Sequence, residues 1–227
     1  MAKLLCVDTA TQTESVALLV DGALCGERTV RRTRGHGPGL LDDVDLVLRD
    51  GGLRLTDLDG LVCGLGPGSF TGLRIALATL KGLALAHDLP LFGARTTAAL
   101  RAALPDRRVV AVVDARRGEV YVDHDGAPQV VAPEAVALPD GPITLLGDGA
   151  LKYATVLTRR YPQAVVPTSP TLHVPRAALL ADAVDLTAPS PLATLEPVYV
   201  RRSDAEINYP DGFPDATAVP PQQHPKS

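Results

Sequence analysis

Residues Gly64 to Ala86, GLGPGSFTGLRIALATLKGLALA, decide how the rest of the chain is read. A glycine-rich turn follows the apolar run Leu61, Val62, Cys63 and opens onto a helix-forming stretch that extends to about Ala86. Leu73, Ile75, Leu77, Leu80, Leu83 and Leu85 are spread around the whole circumference of that helix, and only Arg74 and Lys81, one heptad apart, carry charge. A helix apolar nearly all round is covered on more than one side. The domain's own core covers one side. Leu73, Arg74, Leu77, Leu80, Lys81 and Ala84 are the candidate residues for a second contact, with a protein partner or another copy of the chain. On this reading Leu77→Glu or Leu80→Glu breaks the pairing.

A strand, a glycine turn and a helix in that order can cradle phosphate at the helix N-terminus. The spacing here fails the specific tests. A GxGxxG pattern needs glycine at 69 or 71, where Ser69 and Thr71 stand, and no GK[ST] follows. The turn Gly66, Pro67, Gly68, Ser69, Phe70, Thr71, Gly72 therefore reads as a close-packing device, with Ser69 or Thr71 as the helix N-cap.

Upstream, Leu4–Val7, Val16–Val20 and Ala23–Val30 form three apolar runs, the last two joined by Asp21-Gly22, which predicts an antiparallel meander. A first helix is expected from about Pro38 to Asp50, with Leu40, Val44, Val47 and Leu48 on one face and Gly51-Gly52 ending it. Strands at Leu61–Cys63 and Leu91–Gly93 and a helix over Thr96–Leu104 complete a β-β-β-α-β-α-β-α order. Such an order folds as a mixed sheet with helices packed on it. It is the order of actin-like and sugar-kinase-like domains.

Downstream, strands are expected at Val109–Val113, Glu119–Asp123, Gln129–Ala132, Ile143–Leu146 and Pro197–Val200, and helices at Ala150–Arg160 and Pro175–Val184. Two apolar strands ending in Asp8 and Asp114 point to a duplicated unit. The expected division is a first lobe over 1–104, a reduced second lobe over 105–202, and a proline-rich disordered tail over 203–227.

Composition narrows the function. The 227 residues carry a net charge of −4 and only 4% aromatics, which argues against a chain that grips nucleic acid through its own charge and stacking surfaces. Cys6, Cys25 and Cys63 form no CxxC and read as reduced small hydrophobes of a cytoplasmic protein. The N-terminus enters a strand at once, and no run reaches the roughly 20 apolar residues that span a membrane. The five histidines are far apart and form neither HxxxH nor HExxH, so no helical metal pair and no intrinsic metal site is expected. No GxSxG nucleophile turn exists. Asp114, Arg116 and Glu119 read as an ion-paired turn rather than an acid–base pair.

Several separated segments then carry a family resemblance. Gly66 to Ile75, GPGSFTGLRI, closely resembles the signature of the TsaB (YeaZ) family. Asp8-Thr9-Ala10-Thr11 is similar to that family's opening segment, and His36 with Leu40-Leu41 to its first helix start. Asp114 to Tyr121, DARRGEVY, and Pro197 to Arg201, PVYVR, resemble its later motifs. The chain departs from the pattern at Gly37 and Ala76. The resemblance implies a two-lobed actin-like (ASKHA) fold with a reduced second lobe. It also implies a non-catalytic subunit in N6-threonylcarbamoylation of adenosine 37 in tRNA. The implied partners are a catalytic TsaD-type paralogue, bound through the helices of the first lobe, and a TsaE-type ATPase. A self-dimer forms when the paralogue is absent, and tRNA is met only through the complex. Asp8, Thr9 and Thr11 stand where actin-like ATPases carry their first phosphate loop, with Ala10 replacing the usual glycine, so ATP or ADP is expected only within the partner complex. The alternatives are a stand-alone actin-like ATPase or phosphotransferase, which needs intact phosphate loops, and a homodimeric interaction protein with no tRNA role.

Overall fold

The computed structural model describes residues 2–32 and 39–201. The expected helix start at Pro38, the His36 and Gly37 positions and the tail over 203–227 lie outside them.

A first sheet contains β1 (Lys3–Asp8), β2 (Thr13–Val20), β3 (Ala23–Arg31), β4 (Gly60–Gly64) and β5 (Leu91–Ala94) in the order β3-β2-β1-β4-β5. β1 is central, and every residue after Lys3 is buried because helices or turns cover both faces. β2 and β3 pair antiparallel, as the Asp21-Gly22 turn dictates, while β4 and β5 add in parallel on the other side. A second sheet contains β6 (Val109–Arg116), β7 (Glu119–Asp123), β8 (Gln129–Val131), β9 (Ile143–Leu146) and β10 (Ala164–Val165) in the order β10-β9-β6-β7-β8. Its pairing senses repeat those of the first sheet strand for strand. The duplication expected from Asp8 and Asp114 is thus a duplication of topology.

Helix α1 (Leu40–Asp50) and helix α2 (Phe70–His87) lie on one face of the first sheet. The buried side of α1 is Leu40, Val44, Val47 and Leu48, the stripe its spacing predicts. Ser69 is the N-cap of α2, its hydroxyl accepting from the Gly72 N–H at 3.2 Å. The buried side of α2 is Gly72, Leu73, Ala76, Leu77, Leu80 and Ala84. Four of the six residues expected at a second contact, Leu73, Leu77, Leu80 and Ala84, are therefore this chain's own core. A leucine fully removed from water contributes roughly 1.5–3 kcal/mol, and the sheet beneath claims these first. Leu77→Glu and Leu80→Glu accordingly test folding, not pairing.

Helix α3 (Thr96–Ala102) is shared between the sheets: Ala99 packs in the core of the first and Leu100 in that of the second. The expected Ala150–Arg160 helix is broken at Tyr153 into α4 (Asp148–Lys152) and α5 (Ala154–Arg160). Residues Ala177–Ala183 form a 3-10 helix, and Ala177, Ala178 and Leu180 pack on the first sheet. The Ala177 N–H donates to Ser15 Oγ at 2.9 Å. Chain assigned by sequence to the second lobe thus returns to the first. Pro197–Val200 is not a strand. Pro197 has no N–H to give a ladder, and the Val198 N–H makes a single bond to Leu65 O at 2.8 Å.

Gly82 sits exposed in the middle of α2 with nothing within 4 Å of where a Cβ would stand. Glycine there costs about 1 kcal/mol relative to alanine. Gly82→Ala is therefore expected to raise Tm of the isolated chain by about 2–4 °C, the shift such an increment gives a chain of this size. A lowered Tm in thermal unfolding would show that the backbone at 82 needs glycine.

Candidate functional site

The quoted motifs, far apart in the chain, meet at one cavity of about 300 Å³ between the sheets. Ala10 and Thr11 come from the β1–β2 turn, Gly68 to Thr71 and Leu73 from the signature turn and α2. Asp114, Ala115, Arg116 and Tyr121 come from the β6–β7 hairpin, Asp148 from the start of α4, and Val198, Tyr199 and Arg201 from the C-terminal segment.

The signature turn is seated directly on the β1–β2 turn. The Ser69 N–H donates to Ala10 O at 2.6 Å, and Thr9 Oγ1 donates to Gly72 O at 2.8 Å. Asp8, fully buried, accepts from the Ala10 N–H at 2.9 Å and from Thr96 Oγ1 at 2.5 Å. Of the three residues named for nucleotide contact, Asp8 and Thr9 are therefore buried and committed to internal bonds. Thr11, whose hydroxyl accepts from the Thr13 N–H, is the one that lines the cavity.

On the opposite wall the sequence-predicted ion-paired turn is present. Asp114 accepts from Lys152 Nζ at 3.0 and 3.1 Å and lies 3.9 Å from Arg116, while Arg201 bridges to Glu119 at 2.9 Å. Arg116 and Arg117 both hold positive φ, 64° and 52°, ahead of Gly118 at 81°. This left-handed run is uncommon for non-glycine residues, and it turns β6 into β7 while Arg116 still reaches the cavity. Burial pushes the Asp148 carboxyl above its usual range, and the neighbouring Asp114 charge adds to this, against hydrogen bonds from the Asp114 and Gly149 backbone.

A carboxyl raised in the folded state holds its proton where the unfolded one has lost it. Stability therefore falls as pH rises from the unfolded value through the folded one. Asp148→Asn keeps an oxygen for the Asp114 N–H and removes that cost. The variant is expected to gain Tm at pH 7 and nothing below the unfolded aspartate range. Melting curves across pH measure this, and a loss at pH 7 would show that the charge is stabilising.

The second candidate surface is the outside of α1 and α2. An apolar groove there is lined by Leu41, Val44, Leu48, Leu53, Leu55 and Leu83 and edged by Asp45, Arg49 and Arg54. Leu41 is 58% exposed and Leu85 is 73% exposed. Among the expected interface residues, Arg74 is exposed and Lys81 half-exposed, but neither lines this groove. Sequence reasoning missed Leu41, whose place beside Leu40 puts it off the core stripe. It also passed over Leu85, the leucine of the list farthest from the core face. The groove is held in place by an ionic knot. Arg32 reaches Glu14 at 2.9 Å and Asp43 at 2.5 Å, and Arg28 reaches Asp43 at 2.5 Å, pinning α1 to β2 and β3.

A family model described as TsaD, tRNA N6-adenosine threonylcarbamoyltransferase, matches residues 31–165. The solved structure of YeaZ from Pseudomonas aeruginosa superposes with a TM-score of 0.73 at 30% identity, over 88% of this chain and 100% of that one. The chain belongs to the TsaB (YeaZ) family. The TsaB of Escherichia coli, named a tRNA threonylcarbamoyladenosine biosynthesis protein, is 40% identical over 123 residues, 52% of this chain and 53% of that protein. Matches of this kind span about half the length of the curated TsaB proteins. Component A of (R)-2-hydroxyglutaryl-CoA dehydratase from Acidaminococcus fermentans shares the fold alone, at 12% identity, a TM-score of 0.52 and coverage of 83% of this chain and 98% of that one. The duplicated sheets of this TsaB-family chain are those of the actin-like, sugar-kinase-like fold. Among its described residues no helix is long and apolar enough to cross a membrane, and no three His, Cys, Asp or Glu side chains come together as a metal site.

Proposed function

We propose that this chain is a non-catalytic subunit for N6-threonylcarbamoylation of adenosine 37 in tRNA, and that it pairs with a TsaD-type catalytic paralogue through the outer face of α1 and α2. The observation that carries the pairing is the groove itself, an apolar surface with Leu41 standing in solvent, while Leu85 is exposed elsewhere on α2. Isolated exposed leucines need no explanation, but Leu41 stands on a continuous apolar groove, which marks a contact surface. The non-catalytic part is supported by the β1–β2 turn, where Asp8 and Thr9 spend their polar atoms inside the chain. The TsaE-type ATPase joins the assembly, tRNA is met through the complex in the cytoplasm, and ATP or ADP binds only when the partner is present.

The test is co-purification with the TsaD-type paralogue, followed by threonylcarbamoylation of tRNA with and without this chain. Binding and a strict requirement for the chain are expected. Loss of both overturns the reading. Magnesium-dependent ATP turnover by the chain alone, abolished by Asp8→Ala, replaces it with the stand-alone enzyme. A self-dimer that the paralogue fails to displace replaces it with the homodimeric reading.

A further inference from the structure

We infer that residues 190–201 form a latch that fixes the angle between the two lobes and shuts the cavity between them. The segment is first seated on the free side of β5. The Ser190 N–H donates to Leu91 O at 2.9 Å, the Gly93 N–H donates to Ser190 Oγ at 3.1 Å, and Leu195 packs over Gly93. It then leaves the first lobe within four residues. The Val198 N–H still bonds Leu65 O in the first lobe, whereas Val200 packs on the second sheet and Arg201 bonds Glu119 on the β6–β7 hairpin.

Between these two grips, Tyr199 closes onto the start of α2. Its hydroxyl accepts from Arg74 Nε at 3.0 Å, its ring lies 5.2 Å from that of Phe70, and the Arg74 guanidinium stacks 3.8 Å above Phe70. Val198, Tyr199 and Arg201 all line the cavity, so the latch forms part of its wall. Among the described residues α3 also ties the lobes, through the fully buried Ala99 and Leu100, and so does the chain around 172–177, where His173 bonds the Gly147 backbone and the Ala177 N–H donates to Ser15. The latch differs in kind from these buried ties. The latch is irregular chain whose key contacts are polar and partly solvent-exposed, and contacts of that sort are individually weak. Release of the latch leaves the lobes joined on the buried side, around α3 and residues 172–177, which is the arrangement for hinged rotation. Because Arg74 belongs to α2, the same release also frees the N-terminal end of the helix that carries the proposed partner face.

Cys25 is exposed while Cys6 and Cys63 are buried, so a spin label on Cys25 of β3 reports the first lobe. Asp125→Cys, beyond β7, gives a second site on the other lobe. In the full chain so labelled, Tyr199→Ala with Arg201→Ala is expected to widen the interlobe distance distribution roughly twofold, as for an unlocked hinge. Amides of the β6–β7 turn and the first turn of α2 should exchange about tenfold faster while those of β1 and β4 stay unchanged, a local and not a global opening. The swap Glu119→Arg with Arg201→Glu, with Tyr199 intact, should restore the narrow distribution. An unchanged distribution in the double variant overturns the latch. So does exchange that rises uniformly through both sheets, or a swap that fails to restore the narrow distribution.

Discussion

Gly68→Ala is expected to lower Tm by about 6–12 °C, the shift that roughly 3 kcal/mol produces in a chain of this length. A Cβ at 68 would stand 2.7 Å from Ala10 Cβ and 2.8 Å from the Ala10 carbonyl carbon, and closer still to the oxygen. Real Cβ atoms do not approach so near, and the obstacle is backbone, not the movable end of a side chain. Nor is the β1–β2 turn free to retreat. Its Ala10 N–H is held by Asp8, and Asp8 is held in turn by Thr96 on α3. Moving the signature turn instead breaks the Ser69–Ala10 bond and disturbs the N-cap of α2. Thermal and urea unfolding with an unchanged m value would register the cost as stability alone. A drop below about 2 °C would mean that the two turns slide past one another, and the close-packing role of the glycine would fall. The contrast with Gly82→Ala makes the result specific, since the same substitution in the same stretch is expected to act with opposite sign.

That contrast also shows what could be read from the residues in order. The strands, the meander and the α1 stripe follow local periodicity, so they were visible in the chain. The repeat of strand order between the two sheets was visible only as two aspartates at strand ends. Its parallel members, β9 and the two-residue β10, pair through contacts distant in sequence. The glycine turn was legible by what it failed to match, and Ser69 as cap followed from its place before the apolar run. The α2 interface was half legible. Leucines distributed round a helix say that it is covered on more than one side, but not which leucine meets which cover. The sheet beneath took Leu73, Leu77 and Leu80, and left Leu85 to solvent. Tyr199 reads as part of a strand and Arg201 as the residue after it. Their place over the cavity depends on the bonds of Ser190 to Leu91 and of Val198 to Leu65, distant in sequence, which no periodicity encodes.

Leu41→Glu combined with Leu85→Glu is expected to weaken pairing with the TsaD-type paralogue at least about a hundredfold while leaving the fold intact. Both side chains are already more than half exposed, so charging them removes little from the isolated chain. In a complex, each leucine buried contributes roughly 1.5–3 kcal/mol, and every 1.4 kcal/mol is tenfold in Kd. Two such losses reach a hundredfold before the added cost of enclosing a carboxylate in an apolar contact is counted. Leu80→Glu is the control of opposite kind. Leu80 is fully buried among Leu61, Leu77 and Leu91, so a carboxylate there is expected to unfold the chain. Far-UV circular dichroism separates the two outcomes, and calorimetric titration with the paralogue gives the affinity. If the Leu41, Leu85 double variant binds as tightly as the parent and supports tRNA threonylcarbamoylation at the same rate, the partner sits elsewhere. The groove between α1 and α2 would then be a surface feature of the fold and not its interface.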